Sequence, residues 1–384
     1  MADKLVMPME LKLIIAILTA QPALNITADL NWSYFVKLVI RHRVIEQVYT
    51  RLKTEKNVPE DTFLYLEALC QRQRMDLLVL SAETIRLSRE LTKAGIGYAV
   101  VKGIPVGAHA YGGITKRQCK DIDLCVDFAN WDQAVKILQN CGYCQTRPEY
   151  SLTGFKRDYY LNRNHDFEFF NPQKKVQVEL MFRVSYLGVD FPDLSAIPLT
   201  YSNISNNLVA TLENNYHLLL LIVHGAIHAW HRLRWLLDIY LLIQQQKVDL
   251  VKLLTLAEQF ECRAMVIQCL WLLNEVFGLD NREIQPLIDN ISRKDLRLAK
   301  LLFEFVAADY ELTGGHGLFN RMFFKYRWYL TQITPPKQRW RVIRQDLFKI
   351  DKTFKELTLP AGWEFGYYLL YPLYVIKYII RRKF

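Results

Sequence analysis

The sequence predicts an α+β protein: a small mixed sheet with its helices, held between an N-terminal and a C-terminal helical segment. Three observations carry that reading. Apolar residues recur at helical spacing through residues 1–92. Between residues 93 and 200 the pattern changes to short β-branched and alternating runs with helices between them. Helical spacing then returns and persists through residues 201–384.

Each element follows from its residues. In "MELKLIIAILTA", Glu10 and Lys12 open a short apolar run from Leu13 to Ala20, which suits an amphipathic helix better than a cleaved leader. "SYFVKLVIRHRVIEQVYTRL" (33–52) and "DTFLYLEALCQRQRMDLLVLSAETIRLSRELTKAG" (61–95) continue the helical spacing, and Gly95 supplies a stop. "IGYAVVKG" (96–103) reads as a strand closed by Lys102-Gly103. A helix follows, with Pro105 tolerated in its first turn. "KRQCKDIDLCVD" (116–127) reads as a second strand, and "ANWDQAVKILQNCGY" (129–143) as a helix ending near Gly142. "HDFEFFNPQKKVQVELMFRV" (165–184) reads as a hairpin turning at Asn171-Pro172. "TLENNYHLLLLIVHGAIHAWHRLRWLLDIYLLI" (211–243) is one long helix or a close pair.

The chain has 384 residues, 51% of them hydrophobic, 13% aromatic and 23% charged, which excludes a disordered chain. No stretch reaches the roughly 18 apolar residues of a membrane span. Seven irregularly spaced cysteines argue against a disulfide framework and for a reducing, cytoplasmic setting. "CGYC" (141–144) lacks the second pair expected of a zinc site. The net charge of +10 suits a polyanionic partner.

The candidate chemistry lies on the strand at 121–127. Strand side chains alternate faces, so Asp121, Asp123, Cys125 and Asp127 look one way and Ile122, Leu124 and Val126 the other. Asp121 and Asp123 lie about 6–7 Å apart at their Cα atoms. That spacing lets two carboxylates share Mg²⁺ from one side and clamp a transferring phosphoryl group. A third carboxylate is available at Glu179, where "VQVELMF" (176–182) puts Gln177, Glu179 and Met181 opposite Val176, Val178, Leu180 and Phe182. Lys102, Gly103 and Arg117 offer charge and close backbone approach to phosphates.

This ordering of strand, Lys-Gly, helix, arginine, paired aspartates and later carboxylate resembles the nucleotidyltransferases of the DNA polymerase β superfamily. Within it the chain is most similar to the bacterial family labelled "uncharacterised nucleotidyltransferase". The resemblance runs through "IRHRVIEQVY", "VVKG", "RQCKDIDLCVD", "VQVELMFRV" and "HGAIHAWHRLRWLLDI". It implies a polymerase β-like core over 93–200. It also implies Asp121, Asp123 and Glu179 as ligands of Mg²⁺ or Mn²⁺, Lys102, Gly103 and Arg117 at the phosphate end, and an NTP as donor. The acceptor is a small molecule, a peptide, a protein or an RNA. Four positions depart from the expected pattern: Glu179 and Met181 replace the family's Asp and His, Ile104 follows Gly103 where the wider superfamily has Gly or Ser, and Ile227 precedes the second histidine in place of the family's Lys. These departures keep open a second reading, a degenerate nucleotidyltransferase fold acting as a scaffold. The basic stretch 316–356 motivates a third, a toxin-like enzyme acting on RNA.

His224, His228, His231, Trp235 and Asp238 share one helical face if the helix is continuous. Gly225 stands where a zinc protease needs Glu, so the simplest expectation is that Asp238 and the histidines satisfy one another. The closing "YVIKYIIRRKF" mixes apolar and basic residues. It reads as a last helix packed on the body, with contact to an anionic membrane surface as the alternative.

Overall fold

A computed structural model describes residues 7–186, 189–245, 248–279, 281–307, 339–340, 343, 349–360 and 362–381. Most of the basic stretch 316–356 lies outside the described residues. Four helices open the chain: α1 (Met9–Leu18), α2 (Trp32–His42), α3 (Ile45–Leu52) and α4 (Glu60–Lys93). Asn31 caps α2 by accepting from the Tyr34 N–H at 3.0 Å. Gly95, with φ +69°, ends the α4 segment as its sequence position implies.

The central sheet contains β1 (Tyr98–Val100), β2 (Asp121–Val126), β3 (Cys144–Arg147), β4 (Asp166–Asn171) and β5 (Val176–Met181), in the order β1-β2-β5-β4-β3. Only the β2–β5 pairing is parallel. Helix α5 (Ile104–Ala110) follows β1, α6 (Trp131–Asn140) follows β2, and α7 (Gly154–Arg163) precedes β4. The turn between β4 and β5 is built by Asn171, whose Oδ1 accepts from the Gln173 and Lys174 N–H groups at 3.1 and 3.0 Å. The apolar face of the sheet packs on α4 and α6: Ile122, Leu124, Val126, Val178, Leu180 and Phe167 share a core with Leu80, Leu87, Trp131 and Leu138. The expected alternation along β2 and β5 is therefore met.

Three features go beyond the sequence reading. The short strands β6 (Ser185–Tyr186) and β7 (Val189–Asp190) pair with each other, and a hairpin of β8 (Leu199–Ile204) and β9 (Asn207–Leu212) lies against β1 across the expected break at residue 200. Helical structure resumes at α8 (Asn214–Ile227), capped by the Glu213 side chain, and continues with α9 (Leu233–Gln244), α10 (Leu250–Gln259), α11 (Arg263–Phe277), α12 (Gln285–Asp289) and α13 (Arg293–Ala307). Second, α1 to α3 share a core with the C-terminal helices. Their apolar faces join α8, α9, α11 and α13 in one core, and Arg41 reaches across to the Phe305 carbonyl at 2.8 Å. Third, the last helix, α14 (Phe365–Arg381), packs by one face only. Tyr367 is buried with Tyr159, Ile350 and Phe354, whereas Leu369, Leu373 and Ile376 are more than half exposed. Among the described residues, no helix is long and apolar enough to cross a membrane.

Candidate active site

The polar face of the sheet carries a row of carboxylates. Register places Asp121 beside Gln177, Asp123 beside Glu179, and Glu179 beside Glu168 on β4. The next row, Cys125, Met181 and Asp166, closes the site. Cys125 and Met181 are fully buried in the helical core shared by the N- and C-terminal segments. Met181 therefore serves packing. His165 stands beside Asp166, 3.9 Å between Nε2 and Oδ1, and burial holds its pKa below the usual value.

Lys102 reaches this row from the end of β1. The Val101 N–H donates to the Asp123 carbonyl at 3.0 Å, which extends the β1–β2 pairing to the lysine. Lys102 Nζ then lies 2.7 Å from Asp123 Oδ1, and both side chains are nearly buried. Gly103 follows with φ +68° and ψ −119°, a conformation that side-chain-bearing residues rarely adopt, so the turn from β1 into α5 requires glycine.

Burial, then repulsion from Asp123, raises the pKa of Asp121. Burial, followed by the charges of Asp123, Asp121 and Asp166, pushes Glu179 up to about 8, with Lys102 acting in the opposite direction. The carboxylates thus repel one another in a partly dry site, a donor set that a divalent cation relieves. Among the described residues, the three carboxylates whose oxygen atoms gather within 4.8 Å of one another are Asp166, Glu168 and Glu179. Asp166 and Glu168 are both engaged by Arg147, with 3.0 Å from its Nη1 to Glu168 Oε1. That leaves Asp121 and Glu179 the carboxylates with the strongest reason to take a cation. Asp166 and Glu168 escaped the sequence reading, although "DFEF" alternates as plainly as the strand at 121–127.

Arg117 is placed differently from the expectation. It is buried, with Nε and Nη2 donating to the two oxygens of Asp238 at 2.8 and 2.7 Å and Nη1 near the Gly103 carbonyl at 3.3 Å. Tyr111 donates to the same carboxylate at 2.7 Å. A guanidinium bound bidentately to a buried carboxylate is a brace beneath the Lys102-Gly103 turn, not a free cation for phosphate. This also corrects the expected partner of Asp238, which is Arg117 and not the histidines.

The histidine-bearing segment is a close pair of helices. The chain breaks between α8 and α9, where Ala229 and Trp230 both have φ +52°. Gly225 is required there: a Cβ on it would lie 2.1 Å from the ring of the fully buried Trp230. His224, His228 and His231 nevertheless gather on Trp235. His228 stacks on the indole at 5.0 Å and 18°, and Arg232 covers the ring at 5.3 Å. Burial holds His224 well below the usual histidine range and His228 at about 4, so both rings are neutral at pH 7.

Similarity to known proteins reaches the level of family. None of the curated proteins matches the chain. Among solved structures, an antigenic nucleotidyltransferase-like protein from Paracoccidioides brasiliensis is 16% identical, over 58% of this chain and 92% of that one, with a TM-score of 0.31, a likeness too slight to define the fold. The family model of the uncharacterised nucleotidyltransferases matches residues 28–278, which takes in α2, the whole sheet, the histidine cluster and Asp238. The chain is therefore a member of the uncharacterised nucleotidyltransferase family.

Proposed function

We propose that the protein transfers a nucleotidyl group from an NTP to an acceptor hydroxyl in the cytoplasm, using Asp121, Asp123 and Glu179 to hold Mg²⁺ or Mn²⁺ on a polymerase β-like core. The observation that carries this reading is the register of β2 and β5. It sets Asp123 directly beside Glu179 on the polar face of the sheet, one step from Asp121. The metal, when bound, would neutralise charge on the transferring phosphoryl group. Glu179, beside Asp123, would complete the metal site and help take the proton from the acceptor hydroxyl. Lys102 lies between the carboxylates and the Gly103 turn, where phosphate oxygens would approach backbone. Family membership supports the reaction class.

The test is calorimetric titration with each NTP, in Mg²⁺ and in EDTA, for wild type and the Asp121→Asn, Asp123→Asn double variant. Metal-dependent binding of at least one NTP, lost in the variant, is the expected result. Equal binding by both proteins, or none in wild type, would sink the proposal and favour the scaffold reading.

A further inference from the structure

Three arginines gather where the end of α2 meets the start of α9, beside the loop that enters β2. The contacts that gather them are specific. His42 Nδ1 accepts from the Leu233 N–H at 3.1 Å, which locks the end of α2 against the start of α9. Arg43, the residue after His42, is thereby set beside Arg232 and Arg234, which flank Leu233. Arg234 in turn donates to the carbonyl of Gln118, in the loop that enters β2 three residues before Asp121. Arg234 is buried, and its Nε has no hydrogen-bond partner among the described residues.

Arg43 is the most exposed to question of the three. It is half-buried, and its guanidinium makes no hydrogen bond or ion pair with a described residue. Burial and then the charges of Arg234 and Arg232 push its pKa down to about 9, while Asp121 acts in the opposite direction. Its backbone is also unfavourable. Arg43 closes α2 with φ 57° and ψ 46°, and the Val44 N–H returns to the Val39 carbonyl at 3.2 Å, an arrangement in which glycine is the common residue. An arginine in a left-handed cap, crowded by like charges and without a partner, costs stability in the empty protein. Such outliers persist where function requires them.

We infer that Arg43, Arg232 and Arg234 form an anion seat for the triphosphate tail of the NTP donor, at the loop that enters β2 ahead of Asp121. The division of labour is electrostatic. A cation would offset the excess negative charge of Asp121, Asp123 and Glu179, and a polyanion the excess positive charge of the arginines. Guanidinium groups suit this role because they donate in a planar fork to phosphate oxygens. This inference rests on the nucleotidyltransferase reading for the identity of the polyanion, and the experiment separates the two.

The experiment titrates inorganic tripolyphosphate in EDTA, and Mg·NTP in parallel, into wild type, Arg43→Gly, Arg43→Lys and the Asp121→Asn, Asp123→Asn variant. Glycine relieves the left-handed cap, so Arg43→Gly is expected to melt at or above the wild-type temperature while binding tripolyphosphate at least tenfold more weakly. Arg43→Lys retains charge and is expected to fall between the two. The aspartate variant is expected to bind tripolyphosphate as well as wild type. Failure of wild type to bind tripolyphosphate, or equal binding by Arg43→Gly, overturns the inference even if Mg·NTP binds. Loss of tripolyphosphate binding in Arg43→Gly, with no Mg·NTP binding by wild type, leaves the anion seat standing and removes the donor assignment.

Discussion

Glu179 offers the sharpest quantitative test, because burial and three neighbouring carboxylates act on it in one direction. Raising a glutamate from its ordinary 4.5 to about 8 corresponds to about 5 kcal/mol, at 1.36 kcal/mol per pKa unit. Glu179 is only partly buried, and solvent reduces the realised effect to about 2–3 kcal/mol. The sign follows from linkage. Below pH 4.5 the carboxyl is protonated in both the folded and the unfolded protein. Between 4.5 and 8 only the folded protein keeps the proton, so its stability falls as pH rises. Above 8 both states are ionised and the penalty is complete. Glu179→Gln removes the titration while keeping the shape. In EDTA, the variant is expected to match wild type near pH 4.5 within about 1 kcal/mol and to exceed it by about 2–3 kcal/mol at pH 9. Urea unfolding followed by circular dichroism at both pH values measures the difference. A variant less stable than wild type at pH 9, or a gap that does not change with pH, would refute the electrostatic account. Mg²⁺ at pH 9 should then narrow the gap by stabilising wild type more than the variant.

Two further perturbations test the scaffold around the site. Arg117→Ala leaves Asp238 buried and without its cation. It should cost about 3–5 kcal/mol in urea unfolding, whereas Arg117→Met combined with Asp238→Leu should cost clearly less. Gly225→Ala drives a methyl group into the Trp230 ring and should cost about 3 kcal/mol. The same alanine in a Trp230→Leu background should cost under 1 kcal/mol relative to that background, as measured by thermal melting with calorimetric enthalpies.

Most of the fold was legible because its signals are local. The switch from helical spacing to alternation marked β1, β2, β4 and β5, and Asn171 and Gly95 ended elements where turn chemistry said they would. What escaped has identifiable causes. Strand β3, "CQTR", is polar and exposed at the sheet edge, so it carries no apolar alternation. The β8–β9 hairpin did announce itself: Ser205 and Asn206, both with positive φ, join two alternating runs through a two-residue turn. The charged residues divide in the same way. Asp121 and Asp123 share one face of β2, and Glu179 the polar face of β5, as strand period alone assigns them. Arg117 was misjudged because its partner lies 121 residues away on α9.

The sequence alone determined the identity and facing of the carboxylates, the glycine turn after β1 and the interleaving of strands and helices. Each of these depends on neighbours within a few residues. Only the tertiary structure decided that β2 and β5 lie side by side, that Arg117 braces where it was expected to bind, and that the end of α2 meets the start of α9. Those outcomes rest on contacts between segments far apart in the chain, chosen by which apolar faces bury one another and not by any spacing within a segment. The arginine cluster exists for the same reason: Arg43 is an ordinary helix-end cation in the sequence, and becomes half-buried, unpaired and crowded when α2 and α9 share a core.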